Sequence, residues 1–223
     1  MVRAFTKQGS TVFFCDFDGD AGSRLAKSTG ATFTQVDLRN EQEVVDWVAN
    51  AVFECGNIQV LINNAAKDPR IRIEEQTAEV WDDLMATNLR PHMLTAREAV
   101  PHMPEGASIV NFSSIVFELG MQPMTAYVST KSAIQGFSRS LGRELGPKRI
   151  RVNSISPGWV MTERQKREFV TDETLVRLQN ELQSIPDLIE PADVAEVALF
   201  LASRVSNVIT GQEIVADHGW VHS

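Results

Sequence analysis

Cysteine, tyrosine and basic residues are scarce in this 223-residue sequence, and it has no long apolar run. The two cysteines, Cys15 and Cys55, have no close spacing and no histidine cluster beside them. The sequence therefore predicts neither a disulfide framework nor a metal site, and both thiols are expected to be free and buried. With 21 basic against 29 acidic residues the formal net charge is −8, which argues against nucleic acid and anionic membranes as partners.

No stretch approaches the roughly 20 apolar residues of a membrane span, and the first seven residues lack the apolar segment of a secretory signal. These absences favour a cytoplasmic protein. A length of 223 residues fits one globular domain, and two small domains are the other arrangement that it allows.

Apolar runs alternate with stretches of helical period along the chain, which is typical of an α/β fold with a parallel sheet. A long segment that follows a strand end is a candidate lid, because ligands bind beyond the carboxyl ends of such strands. Strands are predicted at residues 11–15, 31–36, 59–62, 107–112, 150–155 and 214–216, helices at 22–28, 41–54, 77–102 (interrupted near Pro91), 126–145 and 191–202, and the candidate lid at 159–188.

Tyr127, the only tyrosine, stands four residues before Lys131 in a predicted helix. Residues at this spacing share a helix face, and a nearby cation favours the phenolate form of tyrosine. The pair is therefore a candidate general acid and base. Ser114 follows a strand and is placed to hydrogen-bond a substrate oxygen. Asn88 is unusual in the middle of a helix, because its amide competes for backbone groups.

These residues, together with several short motifs, resemble the short-chain dehydrogenase/reductase family, and the resemblance covers essentially the whole chain. The matching segments are residues 61–66 (Leu-Ile-Asn-Asn-Ala-Ala, similar to Asn-Asn-Ala-Gly), the tetrad of Asn88, Ser114, Tyr127 and Lys131, Pro157-Gly158 with Thr162 (similar to Pro-Gly-x-x-x-Thr), Thr210-Gly211-Gln212, and residues 217–219. The resemblance implies one Rossmann-like domain over residues 1–223, with a doubly wound parallel sheet and helices on both faces. It also implies hydride transfer between a nicotinamide cofactor and an alcohol or carbonyl.

The resemblance assigns a role to each of these residues. Tyr127 exchanges the proton with the substrate oxygen, while Lys131 lowers the pKa of Tyr127 and holds the nicotinamide ribose. Ser114 orients the substrate oxygen, and Asn88 fixes a water that relays protons. The other implied cofactor contacts are Asp37 and Leu38 at the adenine, Asn64 at the adenine ribose, Val160 and Thr162 at the carboxamide and phosphate, and Ala65, Pro157 and Gly158. A homodimer or homotetramer through helices 77–102 and 126–145 is also implied.

Asp16 bears on the choice of cofactor. It follows the first predicted strand, where a carboxylate accepts hydrogen bonds from a ribose 2′-hydroxyl and repels a 2′-phosphate. This favours NAD(H) over NADP(H), and an ordinary turn aspartate is the other interpretation.

The substrate class is indicated by three stretches, which within the family are most similar to D-xylose-type aldose 1-dehydrogenases. These enzymes oxidise a sugar hemiacetal to a lactone. The stretches are residues 63–70, 88–93 and 162–165. Asp68, Arg70 and Gln165 are then candidates for hydrogen bonds to sugar hydroxyls, or they are ordinary loop residues.

The family's first strand, and the Gly-x-x-x-Gly-x-Gly turn that lays the cofactor pyrophosphate on a helix N-terminus, have no counterpart in this sequence. Residues 1–9 resemble the second half of the helix that follows that turn. Gly19 and Gly22 are crowded by three aspartates and are predicted to form a plain turn. The missing strand would lie between strands 11–15 and 59–62, and its absence should leave backbone groups unpaired on both, unless the two edges close together or find another partner.

Two interpretations of this absence remain open. Either the start codon is mis-assigned, or the chain is a truncated relative that binds dinucleotide poorly and has impaired activity. The alternative function is a non-catalytic scaffold or oligomer partner.

Overall fold

The computed structural model describes residues 1–221, which form helices and strands in alternation. In chain order they are α1 (Val2–Lys7), β1 (Phe13–Asp16), α2 (Gly19–Thr29), β2 (Thr32–Gln35), α3 (Glu41–Cys55), β3 (Val60–Asn63), α4 (Ala78–Asn88), α5 (Arg90–Ala99), β4 (Ser108–Phe112), α6 (Thr125–Leu145), β5 (Arg151–Pro157), α7 (Glu163–Glu168), α8 (Asp172–Arg177), α9 (Pro191–Ala202) and β6 (Glu213–Ala216). The α/β class predicted from the alternating pattern is confirmed.

The strands form two parallel sheets rather than one. β1 pairs with β2, while β3, β4, β5 and β6 form a second sheet in that order. Within residues 1–221, neither β1 nor β3 has a strand on its other side. Of the outcomes left open, the two edges have therefore not closed on each other.

The larger sheet is buried on both faces, as parallel sheets between helices are. Ile109 and Val110 are neighbours in β4, and both are fully buried. Ile109 packs with α3, α5 and the end of α6, whereas Val110 packs with α1 and α9. Helices therefore cover both faces of this sheet, which confirms the Rossmann-like arrangement.

The predicted helix over 77–102 is two α-helices. α4 ends at Asn88 and α5 begins at Arg90, so Pro91 lies in the first turn of α5, where its missing N–H costs no hydrogen bond. Asn88 is consequently the last residue of α4 and not a mid-helix residue, which corrects the prediction. Helix 191–202 is found with the predicted ends.

The bounds of the first strand and the burial of one cysteine differ from the prediction. β1 begins at Phe13 and includes Asp16, which was expected to follow the strand. Cys15 is half-buried, but Cys55 is exposed because the last turn of α3 is uncovered. The candidate lid over 159–188 contains α7, α8 and a π-helical turn at Leu178–Leu182. No helix among the described residues is long and apolar enough to span a membrane.

Candidate active site

Lys131 is anchored at the carboxyl end of β4. Its Nζ donates a 2.7 Å hydrogen bond to the carbonyl oxygen of Phe112, the last residue of that strand. The Ser113 hydroxyl donates to the Lys131 carbonyl at 2.8 Å, which ties α6 to the same strand end. Lys131 is only 2% exposed, and its Nζ lies 5.5 Å from the centre of the Tyr127 ring. The predicted shared helix face is therefore confirmed.

Burial dominates the protonation of both side chains. Burial raises the pKa of Tyr127, the negative charge of Asp68 raises it further, and Ser114 and Arg164 lower it. The pKa of Tyr127 is therefore raised, whereas the family resemblance implies a lowered pKa. Burial destabilises the phenolate by more than Ser114 and Arg164 stabilise it. Burial also lowers the pKa of Lys131 to about 8, so this lysine is charged at neutral pH.

Asn88 holds the loop that follows β3. Its Oδ1 accepts a hydrogen bond from the Lys67 N–H, and its Nδ2 donates to the Lys67 carbonyl, both at 2.8 Å. Its Nδ2 also lies 3.4 Å from Oγ1 of Thr130, whose hydroxyl donates to the Tyr127 carbonyl at 2.7 Å. Asn88 is fully buried. Its amide thus links the loop at Lys67 to the helix that carries Tyr127.

Replacing Asn88 by alanine is expected to destabilise the protein. The backbone N–H and C=O of Lys67 lose their partner, and each such group costs about 1 to 3 kcal/mol where water cannot replace it. For Asn88→Ala, the free energy of unfolding from urea titrations should fall by at least the cost of one such group, about 1 to 3 kcal/mol. Asn50→Ala, on the exposed side of α3, should change it by less than about 0.5 kcal/mol. Equal stability of the two variants would contradict this account.

Two of the three candidate substrate residues lie together. Asp68, which is half-buried, accepts hydrogen bonds from the Arg164 guanidinium and from Gln165 Nε2, the latter at 3.2 Å. Gln165 Oε1 accepts from Trp159 Nε1 at 2.9 Å. Arg70 does not join this group, and its guanidinium stacks on Phe169 at 3.8 Å from the ring centre. The loop after β3 is therefore fastened to α7 in the candidate lid.

Sequence reasoning missed three groups of this site. Arg164 lies in one of the stretches that resemble the family, but the sequence does not reveal which carboxylate a charged residue will meet. Ser113 stands next to the predicted Ser114 and is the one that bonds α6. The Phe112 carbonyl is a backbone group, which a residue pattern does not identify.

The residues predicted to contact the adenosine part of the cofactor differ in their exposure and in their partners. Asp16 is exposed, and its Oδ1 accepts from the Asp18 N–H at 2.9 Å. Asp37 forms a 2.7 Å ion pair with Arg39, and this guanidinium lowers the pKa of Asp37 to about 2. Leu38 packs against the core cluster that contains Val36. The carboxylate of Asp16 therefore has no ion-pair partner among the described residues, whereas that of Asp37 is paired with Arg39.

The other predicted cofactor residues follow β3 and β5. Asn64 and Ala65 are exposed directly after β3. Pro157 ends β5, and a Cβ added to Gly158 would lie 2.9 Å from Cα of Asp217, so close packing requires this glycine. Val160 bridges to Ile189, and the Thr162 hydroxyl caps α7.

Gly19 and Gly22 lie in the first turn of α2, behind the capping Asp18. A Cβ on Gly22 would lie 2.1 Å from the Phe33 ring, and one on Gly19 would lie 2.7 Å from Oε1 of Gln35. Both glycines therefore permit α2 to pack on β2. The predicted plain turn is wrong, because both residues lie within α2, which begins at Gly19.

Charged side chains are numerous around the site, but within residues 1–221 no three His, Cys, Asp or Glu side chains cluster as metal ligands would.

Comparison with known proteins gives consistent matches over nearly the whole chain. The family model described as enoyl-(acyl carrier protein) reductase matches residues 1–221. The probable galactose dehydrogenase GalD of Rhizobium meliloti is 40% identical over 98% of this chain and 88% of its own, and D-xylose 1-dehydrogenase of Caulobacter vibrioides is 35% identical over 99% and 89%. The crystal structure of a blue fluorescent protein from a metagenomic library, in complex with NADPH, superposes with a TM-score of 0.91 at 26% identity, covering 99% of this chain and 92% of that one.

Proposed function

Because this chain belongs to the short-chain dehydrogenase/reductase family of oxidoreductases, we propose that it oxidises the hemiacetal carbon of an aldose to the lactone with NAD⁺. The observation that carries this proposal is the buried Lys131 ammonium beside Tyr127 at the end of β4. The sugar substrate is supported by two relatives, a probable galactose dehydrogenase and a D-xylose 1-dehydrogenase.

The family binds a nicotinamide cofactor, and the polar groups at the strand ends are suited to hydrogen-bond the hydroxyls of its riboses. The exposed carboxylate of Asp16 is an acceptor for ribose hydroxyls, and the Lys131 ammonium is a donor for them. The exposed Asn64 adds an amide beside β3. The cofactor, when bound, supplies the hydride acceptor for oxidation and the hydride donor for reduction.

Tyr127 moves the proton in this proposal. As a neutral phenol it donates its proton to a carbonyl oxygen during reduction, and as a phenolate it accepts the proton of the hemiacetal hydroxyl during oxidation. The charged Lys131 stabilises the phenolate, and the Ser114 hydroxyl orients the substrate oxygen. We assign the sugar hydroxyls to Asp68 and Gln165, which are hydrogen-bonded to each other. The charge of Asp68 acts on the pKa of Tyr127, which supports its place in the site. Arg70 is the weaker candidate, because its guanidinium is stacked on Phe169.

The decisive experiment follows absorbance of the reduced nicotinamide with a panel of aldoses, including galactose and xylose, each with NAD⁺ and with NADP⁺. Turnover of at least one aldose, with lactone as product, is the expected result. Turnover of simple alcohols but of no aldose would refute the sugar substrate, while the assignment as an oxidoreductase would stand.

A second candidate is a weakly active or non-catalytic scaffold. It is favoured by the gap between β1 and β3, beside which Asp16 and Asn64 lie. Calorimetric titration with NAD⁺ separates the two candidates. Binding at micromolar concentrations supports the enzyme, whereas no heat at millimolar cofactor supports the scaffold.

Asp16 is expected to set the preference for NAD(H). A carboxylate repels a 2′-phosphate, so Asp16→Ser should lower the ratio of kcat/KM for NAD⁺ to that for NADP⁺ by about tenfold or more. Asp20→Ser, also exposed and at the start of α2, is the matched control and should leave the ratio unchanged. An unaltered ratio in Asp16→Ser would mean that Asp16 is an ordinary turn residue with no part in cofactor preference.

The charge of Asp68 is expected to shift the pH profile of oxidation. Asp68 raises the pKa of Tyr127, so Asp68→Asn should lower that pKa and move the acid limb of the kcat profile about 0.5 to 1 pH unit toward lower pH. A sugar contact at Asp68 also predicts a higher KM for the aldose. Asp82→Asn, exposed on α4, should move neither quantity. A shift toward higher pH would contradict the electrostatic account.

A further inference from the structure

A cavity of about 550 Å³ lies beside the loop that follows β3. This volume falls within the range of about 300 to 1,000 Å³ that is typical of small-molecule sites. Its walls come from that loop, from one face of α4 and from the start of α7, and the lining residues are Ala66, Lys67, Asp68, Pro69, Ile71, Glu79, Val80, Asp83, Leu84 and Arg164. We call this space the outer cavity.

The loop wall of the outer cavity is fastened to the helix that carries the candidate general acid and base. Asn88 bonds both backbone groups of Lys67, and its Nδ2 also lies 3.4 Å from Oγ1 of Thr130 in α6. Farther along the loop, the Ile71 N–H donates a 2.8 Å hydrogen bond to the carbonyl of Pro123, two residues before α6. The wall is therefore fixed at two points, so the outer cavity is preformed.

Two charged residues belong to both the outer cavity and the candidate active site. Asp68 and Arg164 form an ion pair, and both line the outer cavity. Their opposite charges also act on the pKa of Tyr127. Asp68 is the residue to which the proposed function assigns hydroxyls of the reacting sugar. The outer cavity therefore adjoins the place of that sugar, at Asp68.

The charges of the lining restrict the occupant. Three carboxylates, Asp68, Glu79 and Asp83, outnumber the two cations, Lys67 and Arg164. Lys67 pairs with Asp83 at 3.1 Å and Arg164 pairs with Asp68, so within residues 1–221 Glu79 is the carboxylate of this lining without an ion-pair partner. A phosphate or carboxylate ligand is therefore disfavoured. A neutral ligand with hydroxyl groups is favoured, because a carboxylate accepts their hydrogen bonds.

The rest of the lining is apolar. Pro69, Ile71, Val80 and Leu84 lie among the charged side chains of the outer cavity. A wholly apolar ligand would take Glu79 out of water without giving it a hydrogen bond, which is costly. A pyranose ring has apolar C–H faces and a rim of hydroxyls, and it can therefore satisfy both kinds of surface.

We propose that the outer cavity is a subsite for a second, neutral sugar unit, and that the substrate is a disaccharide or longer oligosaccharide whose reducing end lies at Tyr127. This inference rests on the proposed function, because the reducing unit is the aldose that is oxidised. Hydride from its C1 passes to NAD⁺ and the proton of its C1 hydroxyl to Tyr127, so no bond to the outer unit breaks. Val80 contacts the apolar face of the outer unit, and Glu79 accepts hydrogen bonds from its hydroxyls.

The test compares monosaccharides with disaccharides that have the same reducing unit. Glucose, galactose and xylose are each assayed against the β-1,4-linked cellobiose, galactobiose and xylobiose, because C4 lies across the pyranose ring from C1. For at least one pair, kcat/KM with NAD⁺ should be at least about tenfold higher for the disaccharide, since binding of the remote unit adds to transition-state stabilisation.

Variants of α4 check the location. Val80→Trp fills the outer cavity, whereas Ala78→Trp places the same side chain at an exposed position outside the lining. The ratio of kcat/KM for the disaccharide to that for its reducing unit should fall at least about tenfold in Val80→Trp only. Glu79→Gln preserves the shape and removes the charge, and it should lower the same ratio about fivefold. Glu75→Gln, exposed and outside the lining, is its control.

Two kinds of failure are distinguishable. Turnover of monosaccharides with no preference for any disaccharide would overturn the subsite and leave the proposed function intact, whereas turnover of no sugar would overturn both. A preference for a disaccharide that persists in both Val80→Trp and Glu79→Gln would place the second unit elsewhere and also overturn the proposal. If Val80→Trp does not fold, Glu79→Gln against Glu75→Gln decides.

Discussion

Replacing Tyr127 by phenylalanine is expected to lower kcat by about 10²- to 10⁴-fold, the usual contribution of a positioned general acid or base. The substitution removes only the hydroxyl that carries the proton. The ring stays, so the circular dichroism spectrum and the unfolding midpoint should change little. No other tyrosine is present in the sequence to replace its function.

The measurement is steady-state oxidation of the best aldose from the panel. Ser129→Ala is the matched control, because it removes a hydroxyl from the same helix whose hydrogen bond goes to the Thr125 carbonyl. It should retain nearly full activity. Activity of Tyr127→Phe within tenfold of the parent would remove Tyr127 from the proton transfer.

Replacing Lys131 by methionine is expected to reduce kcat by a comparable factor, about 10²-fold or more, because the phenolate loses its neighbouring cation. The pH dependence distinguishes this cause from a structural one. The pKa of Lys131 lies at about 8, so the parent carries this charge below pH 8 and loses it above. The ratio of parent to variant activity should therefore be greatest below pH 8 and decrease as the pH rises past it.

The control for this prediction is Lys148→Met, which removes an exposed lysine beyond the end of α6. Its activity should equal that of the parent at every pH. A ratio for Lys131→Met that is constant across pH 8 would mean that the lysine acts by packing and by its hydrogen bond to Phe112, and not through its charge.

The helices and strands were largely predictable because their patterns are local. The helix 191–202 has a proline at its first position and Asp193 in its first turn, and α9 begins and ends where these signals place it. The break between α4 and α5 lies at Leu89, near Pro91 as predicted. Proline lacks a backbone donor but fits the first turn of a helix, so the break precedes it.

The site was predictable to the extent that it lies on one helix. Tyr127 and Lys131 share a face of α6, and a spacing of four residues is sufficient to predict that. The bond from Asn88 to Lys67, the ion pair of Asp68 with Arg164 and the anchoring of Lys131 on Phe112 join distant segments. No local pattern specifies which of several charged or polar residues will meet across such distances.

The sequence by itself determined the α/β class, the pairing of Tyr127 with Lys131 and the lack of a counterpart to the first strand and its glycine turn. Only the tertiary structure decided that β1 and β3 lie in separate sheets, with a cavity between them that is lined by residues of α1, α3, α5 and α9, because strand pairing joins segments that are distant in sequence. Tertiary structure also decided the direction of the Tyr127 pKa, since burial depends on every segment that surrounds the phenol and not on its neighbour along the helix.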